Sequence, residues 1–218
     1  MKTLQKLGGF AAWYMAVAYL MGLAIFLVVL DYPSITDPAQ KVALNVEKQM
    51  VVFSTNLLMY VFFGVFLVVL ALAVYGRLQS GAPAIIQVAT AIGIIWAGSL
   101  IASGMVANAG IAAVAPIYAK DPAEAALLWQ GIEAVANGLG NANGEILGGL
   151  WAFLVSLAAL RAGEFSKGLN VIGLVVGAVG IISLIPGLTD TLVGVFGLGQ
   201  IIWFVWLGII FLRHPSVD

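Results

Sequence analysis

Six stretches of this chain are each about twenty residues long and almost free of charge, and no other feature constrains its fold so strongly. They lie at about 8–30, 53–75, 84–106, 141–160, 169–185 and 192–212. A hydrocarbon layer of ~30 Å takes ~20 apolar residues of helix to cross. A single segment in lipid must satisfy its own backbone hydrogen bonds, so each stretch is predicted to be a helix. Composition agrees: 62% of the 218 residues are hydrophobic and 9% are charged, against about 25% charged in soluble domains. The predicted fold class is all-α, one polytopic membrane domain over residues 1–218 built as a six-helix bundle.

The residue inventory excludes much chemistry. There is no cysteine, which removes disulfides, iron–sulfur clusters and thiolate catalysis. The single histidine, His214, lies outside the six stretches. A bis-histidine haem, a histidine-ligated metal centre and a Ser-His-Asp triad in the membrane core are therefore not expected. The net charge is −1 without a basic cluster, so no nucleic-acid partner is expected. No cofactor, metal site or catalytic residue is predicted.

The first stretch has a basic start, Lys2 and Lys6, and an Ala16-Val17-Ala18 triplet of the kind a signal peptidase cleaves. The apolar run continues well past that triplet, which favours a retained span. With both termini cytoplasmic, Lys2, Lys6, Arg77, Arg161, Lys167 and Arg213 fall inside, and Lys41, Lys48 and Lys120 outside. This asymmetry predicts an N-in, C-in topology.

Asp37-Pro38-Ala39-Gln40 and Asp121-Pro122-Ala123-Glu124 are near copies. Each reads as a helix start, with Asp as cap and Pro at the first helical position. Arg77 and Arg161 lie the same distance beyond them, and Leu44 with Leu128, Val51 with Val135 and Gly64 with Gly148 align without a gap. A duplicated helical hairpin explains this, and so does coincidence between common helix-start and helix-end residues. A helix from Asp37 to Arg77 would be ~60 Å long, about twice the hydrocarbon thickness. Helices two, three and four are thus predicted to extend into an extracytoplasmic helical rim at about 31–52 and 107–140. Helix two, without Gly or Pro between Pro38 and Gly64, is expected to project straight. In helix four, Gly138, Gly140 and Gly144 would permit a bend.

Helix four also carries the one polar stripe: Glu133, Asn137, Asn141 and Glu145, each four residues from the last, flanked by Gln130 and Asn143. That spacing keeps to one helical face. Glu145 would sit about a turn inside the outer boundary, where a carboxylate must be protonated, paired or wet. Asn108 on helix three would lie at similar depth, and Ser99, Ser103 and Gln200 are deeper polar candidates. The stripe either lines an outward-facing cleft for a cation, proton or small polar ligand, or supplies interhelical hydrogen-bond glue. Gly140, Gly144 and Gly148 are expected to admit a neighbouring helix closely, as are Gly173, Gly177 and Gly180. Phe62, Phe63 and Phe66 with Trp203, Phe204 and Trp206 either flank a pigment, quinone or acyl chain, or face lipid or fill the core.

Gly168-Leu169-Asn170-Val171-Ile172-Gly173-Leu174, then Gly177-Ala178-Val179-Gly180, and Gly197-Leu198-Gly199-Gln200-Ile201-Ile202-Trp203-Phe204-Val205-Trp206-Leu207-Gly208 characterise the last third, and Leu7-Gly8-Gly9-Phe10 leads into the first span. In these motifs the chain resembles a bacterial family of six-span membrane proteins catalogued as a domain of unknown function. The resemblance implies a prokaryotic plasma membrane location and carries over no catalytic residue.

The function expected is non-enzymatic: binding, as an accessory or interaction subunit of a membrane complex or as a small-molecule-responsive membrane protein. Besides the lipid bilayer, a membrane-protein partner is expected on the outer segment, through Ile111, Pro116 and Tyr118. The alternative is a small transporter or channel for a proton, cation or polar solute along the Glu133–Glu145 stripe. An intramembrane aspartyl protease is disfavoured, because Asp31 and Asp190 both fall at outer loop positions.

Overall fold

The computed structural model describes residues 2–140 and 145–213, the side chains of Pro33 and Asp190 excepted. Among the described residues every regular element is helical. The elements are α1 (Lys2–Ala24), continued by a π-helical turn (Ile25–Val29), a short 3-10 turn (Tyr32–Ser34), α2 (Pro38–Glu47) and α3 (Gln49–Asn56). A second π-helical turn (Leu57–Phe62) leads into α4 (Phe63–Leu78), followed by α5 (Pro83–Tyr118), α6 (Pro122–Leu139), α7 (Ile146–Ala162), α8 (Lys167–Ile182) and α9 (Thr189–Arg213).

Four helical stretches are long and apolar enough to cross a membrane: Lys2–Val29, Gln49–Leu78, Pro83–Tyr118 and Thr191–Arg213. Helices α7 and α8 are equally apolar but have 17 and 16 residues, or about 25 Å of length, short of a ~30 Å core. Large apolar side chains stay exposed, Leu7, Phe10, Leu20, Ile95, Val175 and Ile202 among them. A soluble protein rarely leaves so much apolar surface bare, and a lipid-facing one requires it.

The chain divides into two compact units. One holds the described parts of 1–17, 64–98 and 141–218, the other 18–63 and 99–140. Helices α1 and α5 each contribute a segment to both, and the boundary at Phe63/Gly64 lies one residue beyond the second π-helical turn.

In the first unit α8 packs on both α7 and α9. Glycines set the α7–α8 contact. A Cβ on Gly149 would sit 2.8 Å from both the Gly177 carbonyl oxygen and the Ile181 amide nitrogen, so the two backbones touch. Gly148 likewise makes room for the Trp96 and Phe196 rings. Trp96, Trp151, Trp203, Phe196 and Phe204 are fully buried, with Trp151 edge-on to Trp203 at 5.5 Å. Trp203 and Phe204 therefore fill the core. The turn after α7 is held by the Arg77–Glu164 ion pair at 2.9 Å and by Asn170 Nδ2 donating to the Glu164 carbonyl at 3.0 Å.

In the second unit α2 packs on α6. These are the two helices that begin with the repeated Asp-Pro-Ala motif, and both motifs cap as predicted. Asp37 accepts from the Ala39 amide, and Asp121 from the Ala123 and Glu124 amides, all at 3.0 Å. The core between them holds Leu30, Val42, Val52, Ile111, Val114, Ala125, Ala126 and Trp129.

Two expectations about long helices are corrected here. Helix two does not project straight: it breaks at Lys48 (φ −101°, ψ 26°), with neither Gly nor Pro at the break. The cause is tertiary, because α2 is held against α6 by Val42 and by an ion pair from Lys41, and packing outweighs the helix propensity of one residue. Helix four does not run through: α6 ends at Leu139 with Gly140 as C-cap, and α7 begins after Glu145. The last carbonyls of a helix lack partners within it. Here Ser99 Oγ donates to the Leu139 carbonyl at 3.0 Å, and Ser103 Oγ donates at 2.8 Å to the Ala136 carbonyl, which also accepts from the Gly140 amide. Gly140 permits that approach, since a Cβ there would lie 2.5 Å from Ser103 Oγ.

Candidate ligand pocket in the second unit

The site grows from two polar pairs spaced by one helical turn. Lys41 and Asn45 share a face of α2, and Glu133 and Asn137 share a face of α6. Packing α2 on α6 brings Lys41 Nζ to 3.0 and 3.3 Å from the two Glu133 carboxylate oxygens. Both side chains are largely shielded, 24% and 16% exposed. The chain leaves α1 through Asp31, which adopts a left-handed backbone (φ 46°), and the following turn carries Tyr32 back over this pair. The Tyr32 hydroxyl donates to Glu133 Oε1 at 2.8 Å, and the Lys41 ammonium lies 5.2 Å above the Tyr32 ring. Burial raises the Tyr32 pKa above its ordinary value of 10.0, and the Glu133 carboxylate raises it further. The hydroxyl is therefore a proton donor throughout the physiological range.

Beside Glu133 opens a cavity of about 80 Å³. Its walls are the aromatic rings of Phe26, Tyr32, Tyr60 and Trp129, the amides of Asn45, Asn56 and Asn137, the Ser103 hydroxyl, the Glu133 carboxylate and small apolar side chains. Asn45 is 1% exposed; its side chain lies by the Tyr32 hydroxyl, and its amide oxygen has no partner among the described residues. The Trp129 indole N–H is buried beside the same hydroxyl. Buried acceptors without partners are uncommon because each forfeits its hydration. A polar guest would supply what the Asn45 oxygen lacks.

The residues singled out from sequence distribute as follows. Glu133 and Asn137 line the cavity. Asn108 does not turn toward the α6 stripe: it accepts from Asn56 Nδ2 at 2.9 Å and donates to the Phe53 carbonyl at 3.3 Å. It lines a separate, more apolar depression with Gln49, Met50, Phe53, Ile111 and Ala112. Asn141, Asn143 and Gly144 lie outside the described residues. Glu145 belongs to the first unit, at the start of α7, so the stripe is not one continuous helical face. Its amide donates to Ser183 Oγ at 2.9 Å, its side chain is buried, and its Oε2 has no partner among the described residues. Gly140 and Gly148 admit close neighbours as expected, but in different units.

The outer apolar segment is also largely covered. Ile111 is 1% exposed in the α2–α6 core and Tyr118 packs against that core, which leaves Pro116 exposed. Ile111 is thus not available to a partner. Sequence reasoning passed over Tyr32, Lys41, Asn45 and Asn56 as site residues. The available signal was the turn-spaced pair Lys41 and Asn45 on an amphipathic α2, the counterpart of Glu133 and Asn137. Among the described residues no three His, Asp or Glu side chains cluster as a metal ion would need. Comparisons against family models, curated proteins and solved structures match nothing to this chain, so the pocket has to be interpreted from its own residues.

Proposed function

We propose that this chain is a six-span protein of the prokaryotic plasma membrane, N-in and C-in, that acts by binding a small polar ligand in the Glu133 cavity. The four long apolar helices, with α7 and α8 as two further short spans, support the span count. The mutual packing of α2 and α6, each starting from an Asp-Pro-Ala cap, supports a duplicated hairpin. The observation that carries the functional reading is the convergence of a carboxylate, the unsatisfied Asn45 amide oxygen and four aromatic rings on one cavity. Binding is favoured over transport along the stripe, since Glu133 is engaged by Lys41 and Tyr32 while Glu145 belongs to the other unit. An accessory role in a larger membrane complex is compatible with this reading, through exposed Pro116, Met50 and Leu127.

The test is thermal unfolding of purified protein against a panel of small amines, amides, sugars and carboxylates. A ligand should raise the Tm by a few degrees, and Ala107→Trp, which fills the cavity wall, should abolish the rise. Stabilisation that survives Ala107→Trp would refute the reading.

A further inference from the structure

We propose that the ligand of this cavity is a small organic ammonium ion, and that Lys41 is a tethered ammonium competing for the same carboxylate. The inference rests on the binding role proposed above for the cavity. Among its walls are one carboxylate, four aromatic rings and three side-chain amides, and no basic side chain. The carboxylate and amide oxygens carry negative potential, and aromatic rings beside them can hold a cation over their faces, a combination that favours an organic cation. The protein already demonstrates the geometry: the Lys41 ammonium is bound at 3.0 Å to Glu133 and 5.2 Å over the Tyr32 ring. Lys41 itself is not a wall residue, so its ammonium reaches the shared carboxylate without filling the cavity. The Asn45 oxygen has no partner among the described residues and can accept from an N–H of the guest. Two sources share that chemistry, a free amine and the ethanolammonium headgroup of a lipid.

The experiment measures ethanolamine binding near neutral pH at constant ionic strength, in nanodiscs of phosphatidylglycerol. Removing the tethered competitor, Lys41→Met, should tighten ethanolamine binding about tenfold or more. Lys41→Met combined with Glu133→Gln should lose it, and propanol should bind neither variant. On wild-type protein, nitrogen NMR of the lysine ammonium groups should show the Lys41 signal leaving its ion-paired position as ethanolamine is added. This keeps the test open should Lys41→Met fold poorly. If phosphatidylethanolamine in the disc abolishes ethanolamine binding, the headgroup is the source, and if it has no effect, the free amine is. Equal affinity in wild type and Lys41→Met, or binding that survives Glu133→Gln, would overturn the proposal. Should a neutral or anionic compound bind in an Ala107→Trp-sensitive manner while ethanolamine does not, the ammonium assignment fails and the cavity's binding role stands. Ethanolamine binding that ignores Ala107→Trp would remove both.

Discussion

The two units of this chain solve the burial of a helix in opposite ways. In the first, α7 and α8 meet through glycine, backbone to backbone, and the remaining space is filled by tryptophan and phenylalanine. In the second, α2 and α6 meet through an ion pair, a tyrosine hydroxyl and a thin apolar core, with a polar cavity alongside. Small residues let helices approach in lipid, where no hydrophobic gain drives them together. Polar contacts between helices fix orientation but leave room where side chains of unequal length meet. The first arrangement suits a scaffold, and the second suits recognition.

That contrast predicts different responses to mutation. Gly149→Ala should have the largest effect, destabilising by about 3 kcal/mol, because its Cβ would meet backbone of α8 that cannot move aside. Gly131→Ala, in the middle of α6 with open space around it, should instead stabilise by about 0.5–1 kcal/mol. Denaturant unfolding in one detergent compares the two directly, and similar losses at both sites would break the contrast. Next is the ion pair. Glu133→Gln strands Lys41 in a partly buried position and should lose about 2 kcal/mol. A double-mutant cycle with Lys41→Met should show positive coupling, and additive effects would mean that the pair contributes only shape.

Smaller effects sharpen the picture within the second unit. Asp121→Ala should destabilise by about 1 kcal/mol and Asp37→Ala by less, since Asp121 caps two amides and Asp37 one. Equal losses from thermal melts would show that helix context rather than capping dominates. The subtlest is pH dependence. Tyr32 has a raised pKa in the folded state, so the unfolded chain gives up this proton first as pH rises. Its contribution is complete below its ordinary value of 10.0 and is lost as pH climbs above it. Tyr32→Phe should therefore flatten the fall in stability above that pH, with Lys41 and Glu133 present in both proteins as common background. An unchanged slope would show that Tyr32 does not contribute to alkaline unfolding.

Much of this architecture is legible one residue at a time. A run of twenty apolar residues has to be helical in lipid, and Asp followed by Pro starts a helix wherever it falls. Both are local rules, and the helices and both caps obey them. The small-residue pattern of Gly173, Gly177 and Gly180 also announced close packing, because the absence of a side chain is itself a local property. The stripe from Glu133 to Glu145 failed as a single face for a nonlocal reason. Its continuity required helix four to run on, and α6 instead ends at Leu139, where two serines on α5 donate to carbonyls of its last turn. The break at Lys48 has the same character, since α2 is held where α6 can be reached.

Composition and periodicity thus determined by themselves that the chain is helical, suited to a membrane, and capped at Asp37 and Asp121. Only the tertiary structure decided which polar side chains share a site. Lys41 and Glu133 are ninety-two positions apart, and no local rule joins residues across such a distance. Their meeting depends on where α2 and α6 stop, and helix ends are set by whatever neighbours can satisfy the exposed backbone groups there.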